Sequence, residues 1–466
     1  GQVSLMENVA LSNVGLGRVE AALPVARMIE EADPGNQVAR LVLTAVALNE
    51  GADDALVEGL AARQQIGALI DGLLHGWAEL DRGNVTAALE AFDTMAADPQ
   101  YADFATLHKA LALALVGDLE SAEAILATQF ETGGLSPSRR GMLALAQVRA
   151  QIAGPEAAAT VLEDVFRLSD PEVAALHARL VAGEAVPFDL IPDAKAGMGE
   201  AFLNVADALQ GQAADGFTLL YSRLAEYLAP DLADAALLSA ELLEGLGRHE
   251  LAIEAYSRVS RDNPRFLTAE LGRADALYED DRSDAALEVL TALTNARPED
   301  PLVHTALADT YRRLSRFEEA AEAYEAAIAR MGAPEPDQWF TYFARGIAYE
   351  RMGDWERAEA DLRQALDLNP DQPRVLNYLG YSMIEKLTNL DEALEMIRVA
   401  VEQEPDSGYI TDSLGWAYYR LGRFEEAVAP MERAAALMPT DPVINDHLGD
   451  VYWAVGRERE AEFQWR

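Results

Sequence analysis

Histidines and acidic residues are the side chains in this sequence that could perform acid–base or metal chemistry, and their spacing argues against both. No two of the histidines have metal-ligand spacing, and the chain has no cysteine. With 79 acidic residues in the chain, a pair of neighbouring carboxylates carries almost no information about a site. We therefore interpret the six histidines as surface or packing residues: His75, His108, His177, His249, His304 and His447.

Two short glycine motifs could be mistaken for phosphate-binding loops. They are Gly15-Leu-Gly17 and Gly197-Met-Gly199. No strand pattern precedes either motif and no Gly-Lys-Ser/Thr follows, so we predict that both are turns between helices. No Gly-x-Ser-x-Gly elbow occurs. The sequence thus predicts a chain that is not an enzyme, with no catalytic residue, no metal site and no cofactor.

The charge of the chain restricts the partners that it can bind. Its formal net charge is −42, so a nucleic-acid backbone would be repelled, and an anionic membrane surface is disfavoured for the same reason. Basic or neutral protein partners are favoured. The longest apolar run, at residues 110–116, is too short to span a bilayer. Because the chain starts at Gly1 and ends within a helical pattern, we expect a fragment trimmed at both ends.

The elements that would position any functional residue repeat along the chain. Small residues recur with steps of 34, 34, 38, 34, 35 and 34, and alanines at the start of a second helix recur in the same register. Prolines close the units. The small residues are Ala240, Ala274, Ala308, Gly346, Gly380, Gly415 and Gly449, and the alanines are Ala252, Ala286, Ala320, Ala358, Ala393, Ala427 and Ala461. Two ladders with one period indicate a helical repeat array.

A physical reason underlies the ladders. A small residue lets the second helix of a pair cross the first closely, and a bulky residue one turn later, such as Tyr349 or Tyr452, fills the remaining space. The residues Gly415, Tyr418, Gly422, Ala427, Ala434 and Pro439 resemble the tetratricopeptide repeat (TPR) pattern. This resemblance implies an all-α fold, a right-handed superhelical solenoid of about twelve stacked helix-turn-helix hairpins.

The chain divides into three parts on this basis. For residues 1–182 we predict degenerate TPR-like hairpins. For residues 183–199, which are rich in proline and glycine, we predict an irregular junction between two superhelical segments, with a flexible functional loop as the alternative. Residues 200–466 predict a regular array, with repeats at about 233–266, 267–300, 301–338, 339–372, 373–407 and 408–441 and a partial unit at 442–466. A loop insertion is expected near Met331–Pro336, and a one-residue insertion within Lys386–Leu390.

The resemblance also suggests where a partner would bind. In TPR proteins, set positions of the first helix line the concave surface. In the last four repeats these positions are rich in aromatic rings, which give rigid contact area, and in polar side chains, which can hold a peptide backbone. The alternative is that the rings only pack against the next repeat. The predicted binding residues are Phe343, Arg351, Asn377, Tyr381, Tyr409, Asp412, Trp416, Tyr419, Arg420, Asp446, Asp450 and Trp453.

The last repeats, with Thr411–Gly422 and Asp446–Trp453, resemble those of exported bacterial TPR proteins, which include lipoprotein adaptors of carboxy-terminal processing proteases. The resemblance implies a noncatalytic scaffold or adaptor that binds a protein on its concave surface, with a protease or other envelope protein as partner. It implies a periplasmic or outer-membrane-associated location and allows an upstream lipid anchor, while a cytoplasmic location stays open. Two alternatives remain: the TPR region of a larger enzyme, or a structural subunit of an envelope assembly.

Overall fold

The computed structural model describes residues 1–63, 65–132, 138–165 and 170–466. Over these residues the secondary structure is helical, with 27 α-helices and one short 3-10 helix, and two compact units are formed by residues 1–289 and 290–466. The all-α repeat fold expected from the sequence is confirmed. The predicted boundary between two superhelical segments at residues 183–199 stays a prediction.

Seventeen helices start in the first unit, and the boundary between the units, at residues 289 and 290, falls within the last of them. Their bounds are α1 Gln2–Gly15, α2 Val19–Ala32, α3 Gln37–Glu50, α4 Asp54–Ala61, α5 Ala68–Asp81, α6 Val85–Ala96, α7 Ala102–Leu115, α8 Leu119–Thr132, α9 Arg139–Ile152, α10 Pro155–Val165, α11 Pro171–Val181, α12 Ala194–Leu209, α13 Asp215–Leu228, α14 Ala233–Gly245, α15 His249–Tyr256, α16 Phe266–Glu279 and α17 Ser283–Ala296. The predicted loop at Gly133, Gly134 and Pro137 lies outside the described residues.

Ten helices follow in the second unit. Their bounds are α18 Pro301–Arg313, α19 Phe317–Met331, α20 Trp339–Arg351, α21 Trp355–Leu368, α22 Pro373–Lys386, α23 Leu390–Gln403, α24 Gly408–Arg420, α25 Phe424–Leu437, α26 Pro442–Ala454 and α27 Glu458–Gln464. The loop insertion expected near Met331–Pro336 falls between α19 and α20. Consecutive helices pack as antiparallel hairpins, and each hairpin packs on the next.

Local sequence explains where these helices start and turn. Pro442 occupies the first turn of α26, where its missing N–H is not needed, and the Asp441 carboxylate caps the helix by accepting hydrogen bonds from the backbone N–H groups of Val443 and Ile444, both at 3.0 Å. The turn between α24 and α25 contains Gly422, whose φ of 73° lies in the left-handed region that glycine adopts without strain.

The ladder of small residues lies at the crossings between paired helices, as the sequence predicts. A β-carbon on Gly380 would come within 2.8 Å of the Ala393 carbonyl oxygen, so the helices could not approach as they do with a larger residue there. Tyr349 and Tyr452 are buried beside these crossings. Close approach and burial together account for the shared period of the two ladders.

One prediction about local structure is wrong. Gly197 and Gly199 do not form a turn; both lie in α12, which starts at Ala194 with the Asp193 carboxylate accepting a hydrogen bond from the Ala196 N–H at 2.8 Å. A β-carbon on Gly199 would lie 2.6 Å from the β-carbon of Ala229. These glycines serve close packing rather than chain reversal, so the irregular segment is confined to residues 184–193.

The first unit has an arrangement that the sequence did not predict. Helix α12 packs against α5 and α7, and α13 packs against α1 and α3. The first helices of the N-terminal hairpins therefore face a later hairpin of the same chain. Near its start, α12 is held by Lys195, whose Nζ donates to the Asn49 carbonyl oxygen at 2.7 Å.

Candidate functional site

Three stacked rings form the centre of the candidate site in the second unit. The Trp416 indole stacks on Tyr419, with centroids 4.9 Å apart, and on His447 of the following repeat, with centroids 4.0 Å apart. Trp416 is thus held between two aromatic rings, one from its own helix α24 and one from α26. Its position is fixed by this stack, while the side chain remains partly exposed.

Polar contacts tie the stack to the neighbouring repeats. The indole N–H of Trp416 donates to Glu385 Oε1 at 2.7 Å, and Arg420 forms an ion pair with the same carboxylate. The His447 Nδ1 lies 3.0 Å from Asp412 Oδ2, within hydrogen-bond reach. Residues of α22, α24 and α26 therefore meet at one place.

We call this surface the aromatic face and define it by Tyr381, Tyr409, Asp412, Trp416, Tyr419, Asp446, His447, Asp450 and Trp453. Tyr409 lies two helical turns before Trp416 on α24, and Trp453 lies two turns after Asp446 on α26, so each shares a side of its helix with the site. Tyr409 is 60% exposed and Trp453 is 52% exposed. Asp412, in contrast, is buried beneath His447.

Two carboxylates on α26 form no ion pair with any side chain in the described part of the chain. Asp446 and Asp450 are one turn apart, and neither side chain forms an ion pair or hydrogen bond with the residues that the structure describes. Partial burial and then the charge of Asp446 raise the pKa of the Asp450 carboxyl. Burial, followed by the Asp450 charge, also raises the pKa of the Tyr419 hydroxyl. The face is therefore both aromatic and negatively charged.

Tyr381 and Asn377 lie on α22, the first of the three helices. Burial, and then the charges of Glu385 and Asp412, raise the pKa of the Tyr381 hydroxyl. The Asn377 amide oxygen is buried and accepts no hydrogen bond from the described residues. An acceptor left in this state costs free energy unless a donor reaches it.

Two predicted residues lie apart from the stack. Phe343 is only 8% exposed and packs edge-to-face on Tyr378, with ring centroids 5.8 Å apart, so it contributes to the core between α20 and α22. Arg351, at the end of α20, is exposed, and its guanidinium lies 3.9 Å from Glu350. Neither residue contacts Trp416.

Sequence reasoning missed two residues that hold the site together. His447 was interpreted with the other histidines as a packing or surface residue, although it stacks on Trp416 and pairs with Asp412. Glu385 carries no motif of its own. A usable signal for His447 was present: it lies between Asp446 and Asp450 on the helix that carries them.

The first unit holds a cleft of about 410 Å³ bordered by charged side chains. Its arginines are matched by carboxylates: Arg140 and Arg265 lie 2.9 and 3.2 Å from opposite oxygens of Asp234, and Arg179 lies 3.2 Å from Glu184. These charges satisfy one another. Across the described ranges, no group of three or more histidine, aspartate or glutamate side chains is arranged to hold a metal ion.

Comparison with known proteins identifies the repeat type of part of the second unit and of the helices before it. Tetratricopeptide repeat profiles match residues 245–310, 299–371, 343–406 and 385–442, a continuous stretch that contains most of the aromatic face. Residues 245–442 therefore match the tetratricopeptide repeat. The matched segment ends at Pro442, the first residue of α26, and the helices of the N-terminal hairpins lie outside it.

Three relatives share part of the chain. A TPR repeat-containing protein of Pseudomonas aeruginosa, PA4667, is 28% identical over 39% of this chain and 30% of its own length. Human tetratricopeptide repeat protein 13 is 29% identical over 40% of this chain and 22% of its own. A lipoprotein NlpI homolog of Haemophilus influenzae is 36% identical over 18% of this chain and 27% of its own. The match thus spans less than a third of each relative.

The hydropathy of the helices bears on one further expectation. Among the helices of the described residues, none is both long enough and apolar enough to cross a membrane. This agrees with the short apolar runs of the sequence.

Proposed function

We propose that this chain is a noncatalytic scaffold or adaptor that binds a partner protein on the aromatic face of its TPR array. The observation that carries the proposal is the Trp416 stack, a rigid aromatic platform flanked by the exposed rings of Tyr409 and Trp453. Exposed aromatic groups held rigidly lose little entropy when they are covered, which is why such residues dominate binding energy at protein interfaces.

The charge of the face favours a basic partner. Asp446 and Asp450 add unpaired negative charge next to the rings, and the whole chain has a formal charge of −42. Opposite charge on a partner would accelerate encounter and favour correct docking. The TPR repeats themselves support a protein partner, since arrays of this kind present extended surfaces between stacked helices.

Truncation of the rings tests this proposal. Trp416→Ala and Trp453→Ala should each weaken the affinity for the partner by about thirtyfold or more, because hot-spot aromatics contribute about 2 kcal/mol or more. The weaker affinity should appear as reduced recovery of cross-linked partners. Phe463→Ala is the matched control, since Phe463 is 78% exposed but lies on the second helix α27. Thermal unfolding of each variant is measured alongside. Lowered stability with unchanged partner recovery per folded molecule would refute the proposal.

We further propose a bacterial envelope setting, with a protease or another envelope protein as the partner. The support is the partial likeness to the lipoprotein NlpI homolog, which covers 18% of this chain. Fractionation of source cells, with antibody detection of the native protein, tests this location. Recovery with the periplasm or outer membrane supports the setting, and recovery only with cytoplasmic markers contradicts it.

A further inference from the structure

The tryptophan–histidine pair of the aromatic face has a counterpart in the first unit. Trp77 of α5 and His108 of α7 precede Trp416 and His447 by the same 339 residues. The close helix crossing next to each tryptophan is also equivalent. A β-carbon on Gly76 would meet Phe92, and one on Gly415 would meet Met431; the two glycines are 339 residues apart, as are Phe92 and Met431. The two pairs therefore occupy equivalent repeat positions.

The pair in the first unit is covered by a helix of the same chain. Helix α12 packs on α5 and α7, and a β-carbon on Gly197 would lie 2.3 Å from the Trp77 indole. Trp77 and His108 are fully buried, and the Trp77 N–H donates to His108 Nδ1 at 2.8 Å. This surface of the repeat thus accepts an α-helix, with a glycine placed directly on the indole.

The equivalent pair in the second unit has no such cover among the described residues. Helices α24 and α26, which correspond to α5 and α7, leave Trp416 partly exposed and Trp453 half exposed. The surrounding residues also differ in character. Where the covered surface has the buried leucines Leu73, Leu107 and Leu111, the aromatic face has Asp412, Asp446 and Asp450.

These differences indicate what the uncovered surface would bind. The leucines of the first unit suit an apolar helix, which α12 supplies with buried residues such as Met198 and Phe202. Carboxylates at the same positions would lose hydration beneath an apolar helix without gaining a partner. Cationic side chains on the bound helix would compensate Asp446 and Asp450, which have no ion pair of their own among the described residues.

We propose that the aromatic face binds an α-helix of a partner protein, with glycine or alanine over Trp416 and lysine or arginine beside Asp446 and Asp450. The proposal rests on the proposed function and specifies the partner: a basic helix with a small-residue contact, not an extended peptide. The geometry of α12 on α5 and α7 provides the template.

A synthetic peptide derived from α12 tests the proposal directly. The probe is a fluorescently labelled peptide of residues 193–209 carrying Glu200→Lys and Asp207→Lys, titrated by anisotropy against the full chain. We expect saturable binding that weakens at least tenfold when the peptide also carries Gly197→Leu, because the larger side chain cannot lie on the indole. The unmodified acidic sequence should bind at least tenfold more weakly than the basic one.

Variants of the protein locate the binding. Asp446→Asn/Asp450→Asn should weaken binding of the basic peptide at least tenfold without disturbing the core, since Asp446 is exposed and Asp450 is partly exposed. Asp367→Asn/Asp391→Asn removes the same charge from exposed sites on α21 and α23 and should leave binding within twofold. Absence of binding, or binding indifferent to Gly197→Leu or to the Asp446/Asp450 pair, overturns the helix proposal. The proposed function would survive that result if Trp416→Ala still reduced partner recovery.

Discussion

A β-carbon on Gly415 would lie 2.6 Å from Cγ of Met431, which places the two helices of this hairpin in direct contact at the glycine. Met431 is fully buried and belongs to the core shared by α25, α26 and α27, against which Trp416 also packs. The close crossing therefore supports the aromatic face from below. Any larger residue at this position has to displace either Met431 or the helix that carries it.

We expect Gly415→Leu to destabilise the second unit by about 1–3 kcal/mol, the usual cost of overpacking a core. Ala429→Leu is the control, because Ala429 is exposed on the partner helix α25 and the added side chain meets solvent. Denaturant unfolding of both variants gives the comparison. Equal midpoints for Gly415→Leu and the parent would contradict the observed crossing.

Two arginines of α9, each paired with a glutamate of another helix, allow a comparison of buried and partly exposed ion pairs. Arg140 and Glu200 have side-chain exposures of 10% and 0%, whereas Arg149 and Glu123 are each 30% exposed. Glu200→Leu should cost about 3 kcal/mol because it leaves Arg140 with only part of its compensation, whereas Glu123→Leu should change stability by less than about 1 kcal/mol. Equal unfolding free energies for the two variants would refute this assignment.

The first unit should become less stable as the pH decreases, because His108 is buried in its neutral form. Complete burial lowers the pKa of its imidazole from 6.5 to about 3. Between these values the unfolded chain binds a proton that the folded protein excludes, so the contribution of His108 is complete above pH 6.5 and is lost toward pH 3, at up to about 1.4 kcal/mol per pH unit.

The substitution His108→Asn isolates this effect, because an amide oxygen can still accept the Trp77 N–H. Hydrogen exchange of the α5 and α7 amides at pH 7, 6 and 5 reports local stability, after correction for the intrinsic exchange rate at each pH. The variant should lose less stability than the parent on acidification. The same slope for both proteins would exclude His108 as the titrating group.

A leucine in a left-handed conformation offers a stabilising substitution. Leu387 ends α22 with φ of 55° and ψ of 39°, at the repeat position where Gly353 and Gly422 occur. Leu387→Gly should stabilise the second unit by about 0.5–1 kcal/mol, as relief of about 1–2 kcal/mol of backbone strain exceeds the entropic cost of glycine. Gly422→Leu should show the opposite sign. A lower denaturant midpoint for Leu387→Gly would contradict the prediction.

Repeat periodicity predicted the helical hairpins because close crossings require small residues at fixed intervals, and Gly380 and Gly415 meet that requirement. The same reasoning failed at Gly197. A glycine in a proline-rich stretch indicates a turn when only local sequence is considered, whereas here the glycine accommodates Trp77, 120 residues earlier in the chain. A local sequence pattern cannot predict a contact between residues that are so far apart in the chain.

The candidate site was partly predictable for a similar reason. Helical spacing placed Trp416 and Tyr419 on one side of α24, and the structure shows their rings stacked. Burial depends on the neighbouring repeats, so sequence spacing could not distinguish buried Phe343 from exposed Tyr409. His447 was missed because its role depends on a ring and a carboxylate in the preceding repeat.

The packing of α12 and α13 against the N-terminal helices affects the order in which the protein can acquire its structure. During synthesis, α1 to α11 emerge before α12, so the apolar surface that includes Leu73 and Leu111 has no cover until residue 209 has been made. The Lys195–Asn49 contact closes a separation of 146 residues, which slows formation of this core. The nascent first unit therefore exposes this apolar surface over that interval, whereas each hairpin of the second unit packs on its immediate neighbour as it appears.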